Sequence, residues 1–132
     1  MPIVPLVILG LHMAAAVFWL FSSLILGWGQ PPIASKTLFR PQMAAAALAV
    51  FTGGGLWQML HAGGFGPPEM VLALGAVLAI AAAGVQGALV GGQIRKLRAG
   101  LPGDDRKVLL GQRLATGLLG ATLVCMVLER YV

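Results

Sequence analysis

Four long apolar stretches, separated by short segments that hold most of the charges, dominate the sequence. A helix needs roughly 20 apolar residues to cross a hydrocarbon core of about 30 Å, and each stretch is long enough. Because no water reaches the oil to bond backbone amides, such a stretch must pair its backbone groups within itself, as an α-helix does. The pattern predicts transmembrane helices at about 3–29, 41–62, 69–94 and 108–130.

Prolines and acidic residues mark where these helices begin and end. Pro31 and Pro32 close the first span, because proline lacks an amide donor and disfavours helical geometry in the residue before it. Pro41 suits the first position of the second helix, where the missing donor costs nothing. A glycine- and proline-rich segment separates the second span from the third. Asp104 or Asp105 is placed to cap the fourth helix.

The composition is also that of a membrane protein. Apolar residues make up 58% of the 132 residues and charged residues only 10%, whereas soluble domains carry about 25% charged residues. Little sequence remains outside the four spans, so we expect one domain over residues 1–132. Because the loops are short, consecutive helices should be antiparallel neighbours. The predicted fold is an all-α integral membrane protein, an up-down-up-down four-helix transmembrane bundle.

Basic residues are distributed unevenly among the loops. Loop 30–41 holds Lys36 and Arg40, whereas the loop between the second and third spans has no lysine or arginine. Another group follows the third span, in loop 95–107: Arg95, Lys96, Arg98, Arg106 and Lys107. The positive-inside rule places both basic loops in the cytoplasm and both termini on the periplasmic side of an inner membrane. The net charge of +5 follows from these loops, so we expect the lipid bilayer and no nucleic acid as partner.

Small residues recur every four positions along the third span. They are Gly75, Ala79, Ala83, Gly87 and Gly91. Lipid tails are as apolar as leucine, so helices in a membrane associate largely through close backbone approach at small residues. Such a row predicts tight packing within the bundle. The alternative is a groove for a partner helix, from another protein or a second copy, or for a flat cofactor.

Two histidines are the candidate ligands. His12 lies inside the first span with Trp19 seven residues later on the same helix face, and His61 ends the second span. Both fall in the outer half of the predicted bundle, at depths that differ by about 7 Å. Imidazole suits haem iron, and sulfur ligands in the same half would also suit copper: Met13, Met59, Met70, Cys125 and Met126. The alternatives are a hydrogen-bonded structural role for His12 and simple solvation for His61.

Two further polar residues lie within the spans. Gln86 is in the middle of the third span, where it is expected to make an interhelical hydrogen bond or to contact a cofactor. Arg113 lies in the first turns of the fourth span, from which its side chain can snorkel to the headgroups. It could instead bind an anionic group, such as a porphyrin propionate or a lipid phosphate. The spans hold no paired carboxylates and no Ser-His-Asp set, which disfavours proton-driven transport and hydrolysis.

The stretch Leu11–Trp19 resembles the first span of the small bacterial membrane protoporphyrinogen oxidase family, which has a Leu-His pair and a tryptophan seven residues after the histidine. The second span, with Arg40 before it and a Thr-Gly pair midway, is similar to that family and to the copper resistance protein D family. The resemblance implies a four-span fold and makes His12 a haem ligand or porphyrin contact. The third span, from Met70 to Gln93, lacks the lysine that the oxidase family carries near its start. Together with this missing lysine, the resemblance implies a relative that keeps the family's scaffold but not its oxidase activity.

Two functional hypotheses follow from these residues. In the first, the bundle binds haem b, or in second place copper, through His12 for tetrapyrrole handling, electron transfer or metal homeostasis. Trp19, Gln86 and Arg113 would then be cofactor contacts and His61 a further metal ligand. In the second, the protein is a non-catalytic accessory subunit of a larger membrane complex. The missing lysine weighs against family-type oxidase activity, so a role without catalysis is favoured.

Overall fold

The computed structural model describes residues 3–61 and 63–132, which are almost entirely helical. The long helices are α1 (Ile3–Trp28), α2 (Ala34–Leu60), α3 (Pro67–Val85), α4 (Gly91–Arg98) and α5 (Asp105–Leu128). A π-helical turn, Gln86–Val90, joins α3 to α4, so Pro67–Arg98 is one continuous span. A 3₁₀ turn, Glu129–Tyr131, follows α5. Four helical spans are thus long and apolar enough to cross a bilayer, and the predicted all-α four-helix membrane fold is confirmed.

The four spans pack around a shared interior. Helix α1 packs against both α2 and α5, and α5 also packs along the whole third span, whereas α2 and α3 touch much less. On α1 and α2 the contacts join His12 to Ala49 and Ser23 to Gln42. Residue numbers therefore rise along one helix as they fall along the other, which is the pattern of antiparallel neighbours.

Lysines and arginines flank one end of the bundle. This end holds the turn 29–33 and the loop 99–104, and we call it the basic end. The other end holds His61 and residues 63–66, and we call it the opposite end. The positions of these turns are those expected for four consecutive membrane crossings.

The core is built mostly from small residues. Its main cluster consists of Ala15, Trp19, Ala45, Ala46, Ala49, Ala82, Ala115 and Leu119. A smaller cluster of Val90, Ile94 and Val108 lies nearer the basic end, with Phe39 against it. Alanine at so many interior positions lets the helix backbones approach closely, which is a main source of attraction between helices in lipid. Few side chains of the opposite end are buried.

Helix α2 begins seven residues before the predicted start at Pro41, which instead lies inside the helix. The chain turns at the double proline, where the amides of Ala34 and Ser35 donate to the carbonyls of Pro31 and Pro32. Proline fixes the backbone angle that a helix needs at its start, so the helix begins directly after this pair. The missing amide of Pro41 removes one internal hydrogen bond, which packed transmembrane helices tolerate.

The other predicted boundaries agree better with the structure. Asp104 is the N-cap of α5, and its Oδ1 accepts a hydrogen bond of 2.9 Å from the amide of Arg106. This confirms the expected cap. The predicted end of the second span, at residue 62, lies outside the described residues.

Candidate functional site

A buried hydrogen-bond network joins all four spans toward the basic end. Its members are Trp19 and Ser23 of α1, Ser35 and Gln42 of α2, Gln86 at the start of the π turn, and Gln112 of α5. We call it the amide network. None of the six residues is more than 1% exposed. Each span therefore contributes at least one polar side chain to the same point in the interior.

Gln112 is the centre of the network. Its amide and that of Gln42 bond each other reciprocally, with N···O distances of 3.0 and 3.1 Å. The Gln112 Nε2 also donates to the Ser35 hydroxyl at 3.3 Å. The Gln112 Oε1 accepts a second hydrogen bond, of 2.9 Å, from Gln86. Both amide hydrogens and the carbonyl of this one side chain are thus occupied.

Gln86 is satisfied in the same way. The indole Nε1 of Trp19 donates to its Oε1 at 2.6 Å, and its Nε2 donates to Ser23 at 2.7 Å and to Gln112 at 2.9 Å. The Ser23 hydroxyl in turn donates to the Trp19 carbonyl at 2.8 Å. The interhelical hydrogen bond predicted for Gln86 is confirmed, and it is one of several.

The amide network is closed and uncharged. In the ranges 3–61 and 63–132, no buried side-chain nitrogen or oxygen is left without a hydrogen-bond partner. Amides, hydroxyls and an indole do not change charge at physiological pH. The sequence predicts Trp19 and Gln86 as cofactor contacts, but both side chains are buried, and the Trp19 indole donates its hydrogen bond to Gln86. This network can hold helices together, but it offers no free ligand atom or proton-transfer group.

His12 occupies a different environment, farther toward the opposite end. Its Nδ1 lies 2.9 Å from the carbonyl oxygen of Ala49 and 3.1 Å from the hydroxyl of Thr52. A carbonyl can only accept, so this contact selects the tautomer with the proton on Nδ1. The ring packs against Gly53, where an added Cβ would stand 3.2 Å from the imidazole Cε1. The absence of a side chain at this glycine lets the imidazole approach α2 so closely.

The second nitrogen of His12 is the available one. In the described part of the chain, Nε2 has no hydrogen-bond partner, and no buried atom lacks one, so Nε2 reaches the protein surface. The side chain is half-buried. An imidazole with its Nδ1–H bonded to a carbonyl and its Nε2 lone pair free is the usual arrangement of a histidine that binds a metal.

His61 lies apart from His12. Its Nδ1 is 3.3 Å from a carboxylate oxygen of Glu69, whose other oxygen accepts a hydrogen bond from the amide of Gly66. His61 also follows Gly53, which touches His12, by eight residues, a rise of about 12 Å along α2. One metal ion is therefore not within reach of both imidazoles.

The sulfur side chains lie in different surroundings. Met13, Met59 and Met70 are exposed, whereas Cys125 is buried beside Gly75. Among residues 3–61 and 63–132, no three His, Cys, Asp or Glu side chains come together as a metal site.

Arg113 is held at the basic end, against the end of α1. Its Nε donates to the carbonyl of Gly27 at 2.8 Å, and its guanidinium carbon stands 5.3 Å from the centre of the Trp28 ring. Gly27 follows His12 by fifteen residues, a rise of about 22 Å, which exceeds the width of a porphyrin. Arg113 therefore does not reach a propionate of a haem held by His12.

The row of small residues in the third span does not face a single neighbour. A Cβ on Gly75 would stand 3.1 Å from Cβ of Cys125 on α5, whereas one on Gly91 would stand 2.8 Å from the Phe39 ring on α2. Ala79 and Ala83 pack on the main core, and Gly87 faces open space. A four-residue repeat drifts by about 40° per step on a helix of 3.6 residues per turn, so the row winds around the span.

Ser35, Gln42 and Gln112 are not among the candidate residues that the sequence pattern indicates. Ser35 lies before the predicted start of α2 at Pro41, and Gln42 directly follows that start. The observed helix starts show why these residues meet. Gln42 follows the start of α2 by eight residues, and Gln112 follows the start of α5 by seven. Both therefore lie about 10–12 Å from the same end, at matching depth.

Comparisons with protein-family models, with curated proteins and with solved structures give no match to this chain. The fold defines the class, a multi-pass α-helical membrane protein. The resemblance to the two small bacterial families stays a prediction from the interval between His12 and Trp19 and the similarity of the second span.

Proposed function

We propose that this protein binds a planar tetrapyrrole, haem b in the first instance, in the outer half of a bacterial inner membrane, with Nε2 of His12 as axial ligand. The observation that carries this proposal is the contact of 2.9 Å between the His12 Nδ1 and the Ala49 carbonyl. This hydrogen bond fixes the ring and its tautomer and makes Nε2 a stronger donor toward iron. The ring orientation and the tautomer that iron binding requires are thus already set by this hydrogen bond.

The surroundings of His12 favour a flat ligand. Gly53 leaves the backbone of α2 without a side chain against the imidazole, and Gly54 and Gly55, which follow it, have open space where a Cβ would stand. Leu11 and Met13, beside the histidine, are about half exposed. A macrocycle needs such a smooth apolar surface. Haem bound here would supply iron for electron transfer or for binding a small ligand on its second axial side.

The four residues predicted as cofactor contacts therefore have different proposed roles. His12 remains the ligand, whereas Trp19 and Gln86 stabilise the bundle below it and Arg113 acts at the basic end. Copper is the second alternative, because His61 and Cys125 have contacts separate from those of His12. Without the family's lysine, tetrapyrrole handling or electron transfer is a better proposal than oxidase chemistry.

Absorption spectroscopy on the detergent-extracted protein, before and after addition of haemin, tests this proposal. The wild type should show a Soret band that His12→Ala abolishes. His61→Gln is the matched control and should keep the band, since His61 lies about 12 Å away. A wild type that binds no haem, or a His12→Ala variant that binds it equally well, would refute the assignment. Metal analysis of the same samples identifies copper if that ion is bound instead.

A second function, that of an accessory subunit in a larger membrane complex, is favoured by a different observation. A groove of about 310 Å³ runs between α2 and α3, which touch little. Its walls are Met43, Ala46, Ala47, Val50, Phe51, Ile80 and Ala83. A helix from a partner protein or from a second copy would fit this groove.

Crosslinking in native membranes tests the accessory role. Ala83→Leu fills the groove and should abolish the crosslinked species, whereas Ala81→Leu, on an exposed neighbouring position outside the groove, should leave it intact. Loss in both variants, or in neither, would contradict docking at this groove. A Soret band that persists in Ala83→Leu would separate this outcome from the haem proposal.

A further inference from the structure

Arg113 is exposed, yet it is fixed at two points. Its Nε donates to the carbonyl of Gly27, in the last turn of α1, at 2.8 Å. The carbonyls of a last helical turn have no partner within the helix, so this bond satisfies one of them. The guanidinium also lies over the Trp28 ring, at 5.3 Å from its centre, which is within the range of a cation–π contact. The cation is therefore held in one place rather than left to move in solvent.

The position of this cation near one end of two spans is suited to contact with lipid headgroups. Arg113 follows the start of α5 at Asp105 by eight residues, so its backbone lies about 12 Å inside the span. The side chain reaches back to the end of α1, as a snorkelling arginine does. Tryptophans such as Trp28 are typical of the membrane–water interface.

The terminal nitrogens of Arg113 are uncommitted. Within the ranges 3–61 and 63–132, Nη1 and Nη2 make no hydrogen bond, whereas Nε is used for Gly27. A guanidinium with a free terminal fork is the geometry that binds phosphate oxygens in pairs. Arg106, seven residues earlier on the same face of α5, adds a second positive charge nearer the basic end.

An apolar groove lies on α1 and α2, and its α1 wall ends one helical turn before the Trp28 that Arg113 contacts. It has a volume of about 380 Å³ and is lined by Val17, Phe18, Phe21, Ser22, Ile25 and Leu38. Ile25 precedes Trp28 by one helical turn, and the groove extends from there to Val17, a rise of about 12 Å toward the bilayer centre. The Ser22 hydroxyl is already donated to the Trp19 carbonyl, so the groove presents no free donor. Its dimensions and polarity are those of a cradle for a hydrocarbon chain.

We propose that Arg113, braced by Gly27 and Trp28, binds the phosphodiester of an anionic glycerophospholipid in the leaflet at the basic end, and that one acyl chain of this lipid lies in the groove of α1 and α2. The surrounding basic residues favour a lipid without its own ammonium group, since a zwitterionic headgroup would bring a repelled positive charge. The lipid would bridge α1 and α5 at the end where Arg113 already joins them.

Native mass spectrometry of the full chain tests this site. The protein is released from micelles that contain phosphatidylglycerol and phosphatidylcholine in equal amounts, and the bound lipid is counted. We expect the wild type to retain phosphatidylglycerol with about a tenfold preference, as a charge-assisted bidentate pair would give. Arg113→Gln should remove the preference. Arg98→Gln is the matched control, because it removes the same charge from an exposed position at the same end.

Equal losses in Arg113→Gln and Arg98→Gln, or no preference in the wild type, would overturn the proposal in favour of unspecific surface charge. Should Arg113→Gln not fold, Arg113→Lys keeps the charge and is expected to lose most of the preference, because lysine cannot bond Gly27 and present a fork at once. Full retention in Arg113→Lys also contradicts the site.

Two further samples separate the parts of the site. Inorganic phosphate should not displace the lipid, and displacement at millimolar concentration would identify a free anion as the ligand instead. Val17→Phe fills the groove and should reduce retained phosphatidylglycerol several-fold while Arg113 is intact. Unchanged retention in that variant would show that the acyl chain lies elsewhere.

Discussion

The two halves of this bundle differ in how their polar side chains are buried and hydrogen-bonded. Toward the basic end, six polar residues from four spans are buried and bond one another until every amide hydrogen has an acceptor. Toward the opposite end, His12 is half-buried and uses one ring nitrogen internally while the other reaches the surface. A closed network stabilises a structure, whereas an imidazole with one free nitrogen has a lone pair available to a ligand.

Close packing occurs in both halves but is tightest near the basic end. A Cβ added to Gly111 there would stand 2.8 Å from the Val90 side chain and 3.0 Å from that of Leu89. Toward the opposite end, a Cβ on Gly75 would stand 3.1 Å from Cys125, whereas one on Gly10 would meet nothing within 4 Å. Added volume should therefore cost most stability near the basic end.

The largest expected effect is that of Gln112→Leu. This change removes four hydrogen bonds and leaves donors on Gln42 and Gln86 without their acceptor in a dry interior. We expect a loss of about 3 kcal/mol in the free energy of unfolding, measured by reversible denaturation in mixed micelles. Gln58→Leu, the same change at an exposed site of the opposite half, should be nearly neutral. Equal stability of the two variants would remove the contrast between the halves.

Gly111→Ala should have the next largest effect. Its new methyl group would meet Val90 and Leu89 inside normal contact distance, so the third span and α5 must separate slightly. Overpacking of this kind costs about 2 kcal/mol. Gly117→Ala, on the same helix but with open space around it, is the control and should not destabilise. Thermal unfolding of both variants in one detergent measures the difference, and a stable Gly111→Ala would show that the contact relaxes freely.

Thr52→Val should have the smallest effect on stability. Its hydroxyl stands 3.1 Å from Nδ1 of His12, but the Ala49 carbonyl at 2.9 Å still fixes the ring. We expect a change below about 1 kcal/mol, typical of hydrogen bonds between membrane helices. If haem binds as proposed, its affinity should also change little. A loss as large as that of Gln112→Leu would place His12 in the structural part of the molecule.

For Gln86, the sequence predicts that a hydrogen bond forms but not which residues form it. A lone amide in an apolar span is costly unless it is bonded, so an interhelical hydrogen bond could be predicted from its position alone. Its partners could not, because the face that each helix presents depends on packing. Because α2 begins at Ala34, Ser35 and Gln42 lie within the helix and are buried. The predicted start at Pro41 gave no indication of this.

The sequence by itself determined the four crossings and their approximate ends, because the hydrocarbon core permits only segments that satisfy their own backbone. It also identified His12 as an unusual residue for such a segment. Only the tertiary structure decided that Trp19 and Gln86 bond each other, that His12 and Arg113 belong to different ends, and that the small residues of the third span face several neighbours. These relations depend on rotation and depth of whole helices against one another, and close packing between chain-distant residues sets both.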